Sequence, residues 1–328
     1  MRWLIALLLV VSILPLQIAF GSIDNSVPIT RAVNYLKTKQ LVDGGFEGFT
    51  PGSSDDFTTL RVALALGTAH YAQSAVTSSG GKTPLDYLRG RAIAYVKNGG
   101  LVVPGRAGQL AVAVIAADDD PTNFGGENLI ADLQGTYNPA TGTYSSGASG
   151  GAASITNQMW PILALAGARQ PVPTAATDYL LTHQESDNRG GWGYGFGQSD
   201  VDLTSQVLMA LLASHNVPTT ETHFQQGRAF LLGQQLNTGG WPTFDGTLNP
   251  DSTAIAIQAV WSMGVHPETL VKGGRTPYDD LISFQGSNGG FSDSALSTAD
   301  AIPGLVPAPL PFVHNKQRLP GILRGSGF

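Results

Sequence analysis

The chain has no cysteine among its 328 residues. That absence excludes a disulfide framework, a cysteine-ligated zinc site and any thiol nucleophile or thioester. Charge is also scarce: Asp, Glu, Lys and Arg make up 13% of the residues. Apolar residues reach 42%, so the chain is neither disordered nor highly charged. Past the first twenty residues no run is apolar enough to span a membrane, and no long alternating pattern marks a strand. No Lys or strand accompanies Gly190-Gly191-Trp192-Gly193, so it is not a phosphate loop. Histidines 70, 183, 215, 223, 266 and 314 have no metal-ligand spacing, and no metal or cofactor is expected. Asp118-Asp119-Asp120 reads as a solvated helix end rather than a cation site.

The N-terminus reads as a secretory leader. Arg2 precedes the apolar run Leu4 to Leu14, and Ala19-Phe20-Gly21 is a small-x-small cleavage step. An uncleaved anchor is the alternative, but the run barely reaches spanning length and contains Pro15. Cleavage after Gly21 places the protein outside the cytoplasm, secreted or periplasmic. It removes Arg2 and takes the formal net charge from −6 to −7, which argues against nucleic acid or an anionic membrane as partner.

What the chain has is repetition. Gly44-Gly45-Phe46 is followed, ten residues after the Phe, by Asp56-Phe57-Thr58. Gly191-Trp192 leads in the same way to Asp202-Leu203-Thr204, and Gly240-Trp241 to Asp251-Ser252-Thr253. A Gln stands upstream of each phrase, at 40, 184 and 235, and an apolar helical run follows each. A period of about fifty residues signals a repeat architecture. Six units follow: Ile29–His70, Pro84–Ala117, Glu127–Ala168, Thr174–His215, His223–Val265 and Pro277–Leu305. Each reads as helix, Gly-rich loop, helix. The first helix is amphipathic and the second apolar nearly all round, so second helices form an inner layer and first helices an outer one. No polar capping repeat ends the array, which favours closure. The expectation is an all-α, closed (α/α)6 toroid: leader 1–21, toroid 22–306, and a Pro-rich extended tail 307–328. A monomer is expected.

These residues resemble a known superfamily. Gln, Gly-Gly-Trp/Phe, Asp-x-Thr and an Ala/Leu helix are similar to the repeats of squalene and terpene cyclases, prenyltransferase β-subunits and cobalamin carriers. Gly191 to Phe196 followed by Asp200-Val201-Asp202-Leu203-Thr204 resembles the surroundings of the Asp-x-Asp-Asp proton donor of squalene cyclases. The resemblance makes Asp202 the donor with Asp200 beside it, but Leu203 stands where the fourth acid would. Those cyclases use two toroidal domains, and this chain has room for one. Ser297 to Leu305, with its Pro-x-Leu step, resembles the last barrel helix of intrinsic factor and transcobalamin. The small β-domain that completes the corrinoid site there has no counterpart here. Prenyltransferases need a zinc-binding Cys, which is absent.

Asp56, Asp202 and Asp251 read first as N-caps of the second helices, and secondly as an acid ring at one mouth of an apolar-lined cavity. Phe46, Trp192, Trp241 and Phe291 read as wedges between the helices of a unit. Tyr194 and Phe196, in a Gly-rich loop, and Trp160 and Trp261, in second helices, are ligand-contact candidates. The leading functional expectation is a secreted module that binds or scaffolds an apolar or amphipathic small molecule or a protein partner. A cyclase-like enzyme with Asp202 as donor is the alternative. A polysaccharide-binding or -cleaving toroid is a third.

Overall fold

The computed structural model describes residues 24–313; the leader and the end of the tail lie outside the described residues. Twelve α-helices in an outer and an inner set alternate along them. The outer helices are α1 (Ser26–Lys39), α3 (Pro84–Val96), α5 (Leu129–Gly135), α7 (Thr174–Leu181), α9 (Thr222–Gly233) and α11 (Pro277–Ser283). The inner helices are α2 (Asp56–Thr68), α4 (Pro104–Ala116), α6 (Ile155–Gly167), α8 (Val201–Ser214), α10 (Pro250–Ser262) and α12 (Ala295–Leu305). Start signals explain several boundaries. Pro84 and Pro277 occupy the first position of α3 and α11, each behind a Thr–Asp capping box. Strand pairing among the described residues amounts to three two-residue ladders and some isolated bridges in the loops.

The layering follows polarity. Every residue of α2 from Thr58 to Thr68 is buried, and so is every residue of α10 from Ser252 to Val260. Each inner helix packs on the next, and α12 packs on α2, so the ring is closed. Each outer helix packs chiefly on the inner helix of the preceding unit, and α1 packs on α12. The first helix therefore covers the seam left by the last.

The repeated phrase is the clamp that holds this arrangement. Gln40 Nε2 donates to Gly44 O at 2.9 Å in its own loop and to Lys82 O at 3.3 Å, just ahead of the next outer helix. Gln184 bonds Gly190 O and His223 O, and Gln235 bonds Gly239 O and Leu270 O. Gln285 does the same across the seam, to Gly289 O at 3.0 Å and Pro28 O at 2.8 Å. The wedges Phe46, Trp192, Trp241 and Phe291 are fully buried, and their backbone N–H groups donate to Thr59, Thr204, Thr253 and Thr298 Oγ1. Trp192 and Trp241 also donate Nε1–H to Leu180 O and Leu231 O. Two glycines are needed before each wedge for different reasons. The first adopts φ of +92°, +80°, +94° and +92° at Gly44, Gly190, Gly239 and Gly289. The second leaves no room for a Cβ: at Gly240 it would lie 1.9 Å from Asp280 Oδ2.

Candidate functional site

All six inner helices begin on one face of the ring, where the Gly-rich loops lie. Five of them are capped by a side chain, Asp55, Ser154, Asp200, Asn249 and Ser294, each accepting from the amide three residues on; α4 follows Val103 and has no such cap. This corrects the expectation that Asp56, Asp202 and Asp251 are caps. The first unit holds one extra residue between wedge and Thr: Phe46 bonds Thr59 thirteen residues on, whereas Trp192 and Trp241 reach Thr204 and Thr253 in twelve. Asp56 is thereby moved to the outside, where Oδ1 accepts from Tyr87 OH at 2.8 Å and Arg91 Nε at 3.1 Å. Phe57, 38% exposed, takes the position two after the cap.

Asp202 and Asp251 occupy that same position in α8 and α10, two residues beyond caps Asp200 and Asn249. They form a cluster with Asp200 and with Asp300 of α12. Asp300 is ion-paired to Arg61 of α2, whose side chain is 8% exposed. Asp251 Oδ2 accepts from Ser297 Oγ at 3.2 Å, while Asp251 Oδ1 and Asp202 Oδ1 are buried with no protein hydrogen-bond partner. The fully buried hydroxyl of Ser205 is likewise unpartnered.

Burial raises all three acids that lack a cationic partner. Asp202 is pushed up to about 7, by burial first and then by the charges of Asp200, Asp251 and Asp300; the Ser252 hydroxyl beside it works the other way. Asp251 is also raised to about 7, by burial and Asp300, with Ser297 and Arg61 opposing. Asp200 is raised by burial, and the amides of Leu203 and Asp202 restrain the rise. One guanidinium faces four carboxyls, so the cluster holds protons near neutrality.

The other expected contact residues are scattered. Tyr194 is 59% exposed and lines a cleft of about 540 Å3 with Ile155, Tyr179, His183 and Leu203, the neighbour of Asp202. Phe196 is 84% exposed at a loop tip and does not line that cleft. Trp160 is 3% exposed within the core. Trp261 lies at the far end of α10 and lines a cleft on the opposite face. That face is crossed by the tail segment 307–313, where Leu310 is buried and Phe312 meets the His70 ring edge-on at 5.3 Å. Among the described residues, five clefts of about 480–550 Å3 have linings that include neither Asp202 nor Asp251. Among the described residues no group of three His, Cys, Asp or Glu side chains is arranged to hold a metal ion. Nor is any helix among them long and apolar enough to cross a membrane.

Sequence reasoning missed Arg61 and Asp300. The available signal was Arg61 itself, a lone cation in the otherwise apolar run of α2.

Comparison with known proteins agrees with this fold. No protein-family profile matches the chain. A squalene-hopene cyclase from Schizosaccharomyces japonicus is 37% identical over 59 residues, 17% of this chain and only 9% of that protein's length. Among solved structures, a type II terpene cyclase from Scytonema, in complex with its substrate geranylgeranyl dihydroxybenzoate, superposes with a TM-score of 0.63 at 15% identity. The match covers 86% of this chain and 96% of that one. Haptocorrin in complex with Cbi gives a TM-score of 0.55 at 14% identity, over 88% of this chain and 68% of that one. A possible GH105 member from Salmonella enterica gives 0.56 at 14% identity, over 91% and 98%. Closed ring, inner and outer helices and these likenesses together identify the chain as an α/α toroid, the fold it shares with terpene cyclases and a cobalamin carrier.

Proposed function

We propose that this toroid is a proton-initiated cyclase or isomerase of an isoprenoid-type alkene, acting outside the cytoplasm after loss of its leader, with Asp202 as the proton donor. One observation carries the reading. Asp202 is a half-buried acid whose Oδ1 is fully buried without a protein partner, raised to about 7, at the mouth of the inner ring. At pH 7 about half of it is protonated, where an ordinary Asp would hold almost no proton. In the reaction the Asp202 O–H bond breaks and a C–H bond forms at the less substituted alkene carbon. The tertiary cation left behind is attacked by the next double bond, and the last cation loses a proton to a base. Asp200 and Asp251, when ionised, favour the developing positive charge. No cofactor enters this step.

Two objections raised by the sequence weaken. The Scytonema cyclase is matched along 96% of its length, so a second toroidal domain is no requirement of terpene cyclisation. The acid missing at Leu203 has stand-ins on neighbouring helices, because Asp251 and Asp300 both raise Asp202.

The binding-module reading keeps one observation of its own. Inner helices touch backbone to backbone: a Cβ on Gly108 would lie 2.5 Å from Trp160 C, and one on Gly67 would lie 2.1 Å from Ala116 O. Such contact narrows the centre of the ring. Incubation with squalene, oxidosqualene and a geranylgeranyl-substituted phenol, followed by gas chromatography with mass detection, separates the two. The cyclase reading requires a cyclised product that disappears in Asp202→Asn and whose rate falls as pH rises through about 7. Saturable binding of these compounds without product would instead support the binding module.

A further inference from the structure

A second cleft lies where the ring closes, on the face opposite the acids. Helix α10 ends beside it, the turn Pro267–Thr269 returns the chain, and the start of α1 and the end of α12 complete its wall. Its volume is about 480 Å3, and Ile29, Leu305, Val306 and Pro307 form an apolar floor. Aromatic groups stand over that floor in fixed positions. Trp261 Nε1 donates to Tyr278 OH at 2.8 Å, which locks the indole, and His266 meets the indole ring edge-on with centroids 4.8 Å apart. The rim is acidic. Glu268 has a side chain only 14% exposed, within 3.2 Å of His266 Nδ1, and Asp24 lines the cleft at the start of α1. No Lys or Arg lines it. Burial pushes the Tyr278 phenol up to about 12, the bond from Trp261 opposes the rise and the Glu268 charge adds to it.

We propose that this cleft binds an organic cation with an apolar body, a quaternary or protonated amine, seated against Trp261 with Glu268 as its counter-charge. The aromatic face attracts the cation through the ring quadrupole, and indole is the strongest such face. A carboxylate in a low-dielectric wall adds a charge term that a neutral lipid cannot use and that an anion opposes. The apolar floor covers the body of the ligand. The proposal is independent of the acid cluster, which lies at the other end of the inner helices.

Isothermal titration of the full chain with hexyltrimethylammonium, 1-hexanol and hexyl sulfate tests it. The ammonium should bind saturably and about tenfold tighter than either control. Trp261→Leu and Glu268→Gln should each weaken it roughly 2- to 30-fold, the range of a cation–aromatic contact. Should Trp261→Leu fail to fold by circular dichroism, Glu268→Gln and Glu268→Lys carry the test. Equal affinity for the ammonium and hexanol would overturn the proposal, because the cleft would then ignore charge. Ammonium binding that survives the substitutions would overturn it too, and so would no binding at all.

Discussion

Asp202→Asn should stabilise the folded protein at pH 8 and do little at pH 4. A carboxyl whose folded pKa lies above its unfolded one binds its proton more tightly when folded. Its favourable contribution is complete below the unfolded pKa and is lost as pH rises through the folded one. For Asp202 that window runs from the ordinary 3.8 to about 7. A rise of about 3 pH units at about 1.4 kcal/mol each sets a ceiling of about 4 kcal/mol between pH 4 and pH 8. Asn keeps the size of the side chain and carries no charge, so the variant escapes this loss. Its advantage over the parent should grow by about 2–3 kcal/mol between pH 5 and pH 8, or roughly 4–6 °C in Tm for a chain of this size. Urea midpoints of both proteins across that range measure it. Asp56→Asn is the control: that carboxylate is ion-paired with Arg91 on the outside, so its removal should bring no gain at pH 8. If Asp202→Asn destabilises by the same amount at pH 5 and pH 8, the carboxylate is a helix-end contact and the proton-holding account fails.

Two further outcomes test the clamp. Gln285→Ala removes donors to Gly289 O and Pro28 O across the seam, and should lower stability by about 1–3 kcal/mol in urea unfolding. Trp192→Phe keeps the wedge ring but leaves Leu180 O without its indole donor, at a cost of about 1–3 kcal/mol by the same measurement, with helical circular dichroism retained.

The parts of the fold that repeat were legible, because a repeated packing problem gets a repeated answer. The wedges, the Gln, the two glycines and the largely apolar inner helices each do in one unit what they do in the next. What was not legible depends on register or on distance. Counting ten residues from the aromatic aligned Asp56 with Asp202, but the extra residue of the first loop places Asp56 one position after its cap and Asp202 two after its own. One residue decides whether a carboxylate turns outward to Arg91 or joins its neighbours. The Arg61–Asp300 pair joins residues 239 apart in the chain, and only closure of the ring brings them together. The preference of each outer helix for the preceding inner helix was hidden for the same reason: the second bond of each Gln crosses to the next unit, and no local pattern records it.

Why acids collect on this face follows from the topology. Six inner helices run in the same direction, so six N-termini, each carrying about half a positive charge, meet around one mouth. Negative side chains are favoured there, and on that ground alone every Asp should be easier to ionise. The N-cap position realises this gain. Asp200 accepts the Leu203 amide at 2.7 Å; burial still raises its pKa, but its backbone bonds restrain the rise. Two residues further on the gain is not realised. Asp202 Oδ1 and Asp251 Oδ1 receive no amide and are pressed together with Asp300 across three adjacent helices, so burial and mutual repulsion win and both acids rise to about 7. The same residue type in the same turn is thus a structural cap or a store of protons according to its offset from the helix start. Closing the ring is what brings a cation to these acids, because only then does α12 meet α2 and Arg61 pair with Asp300.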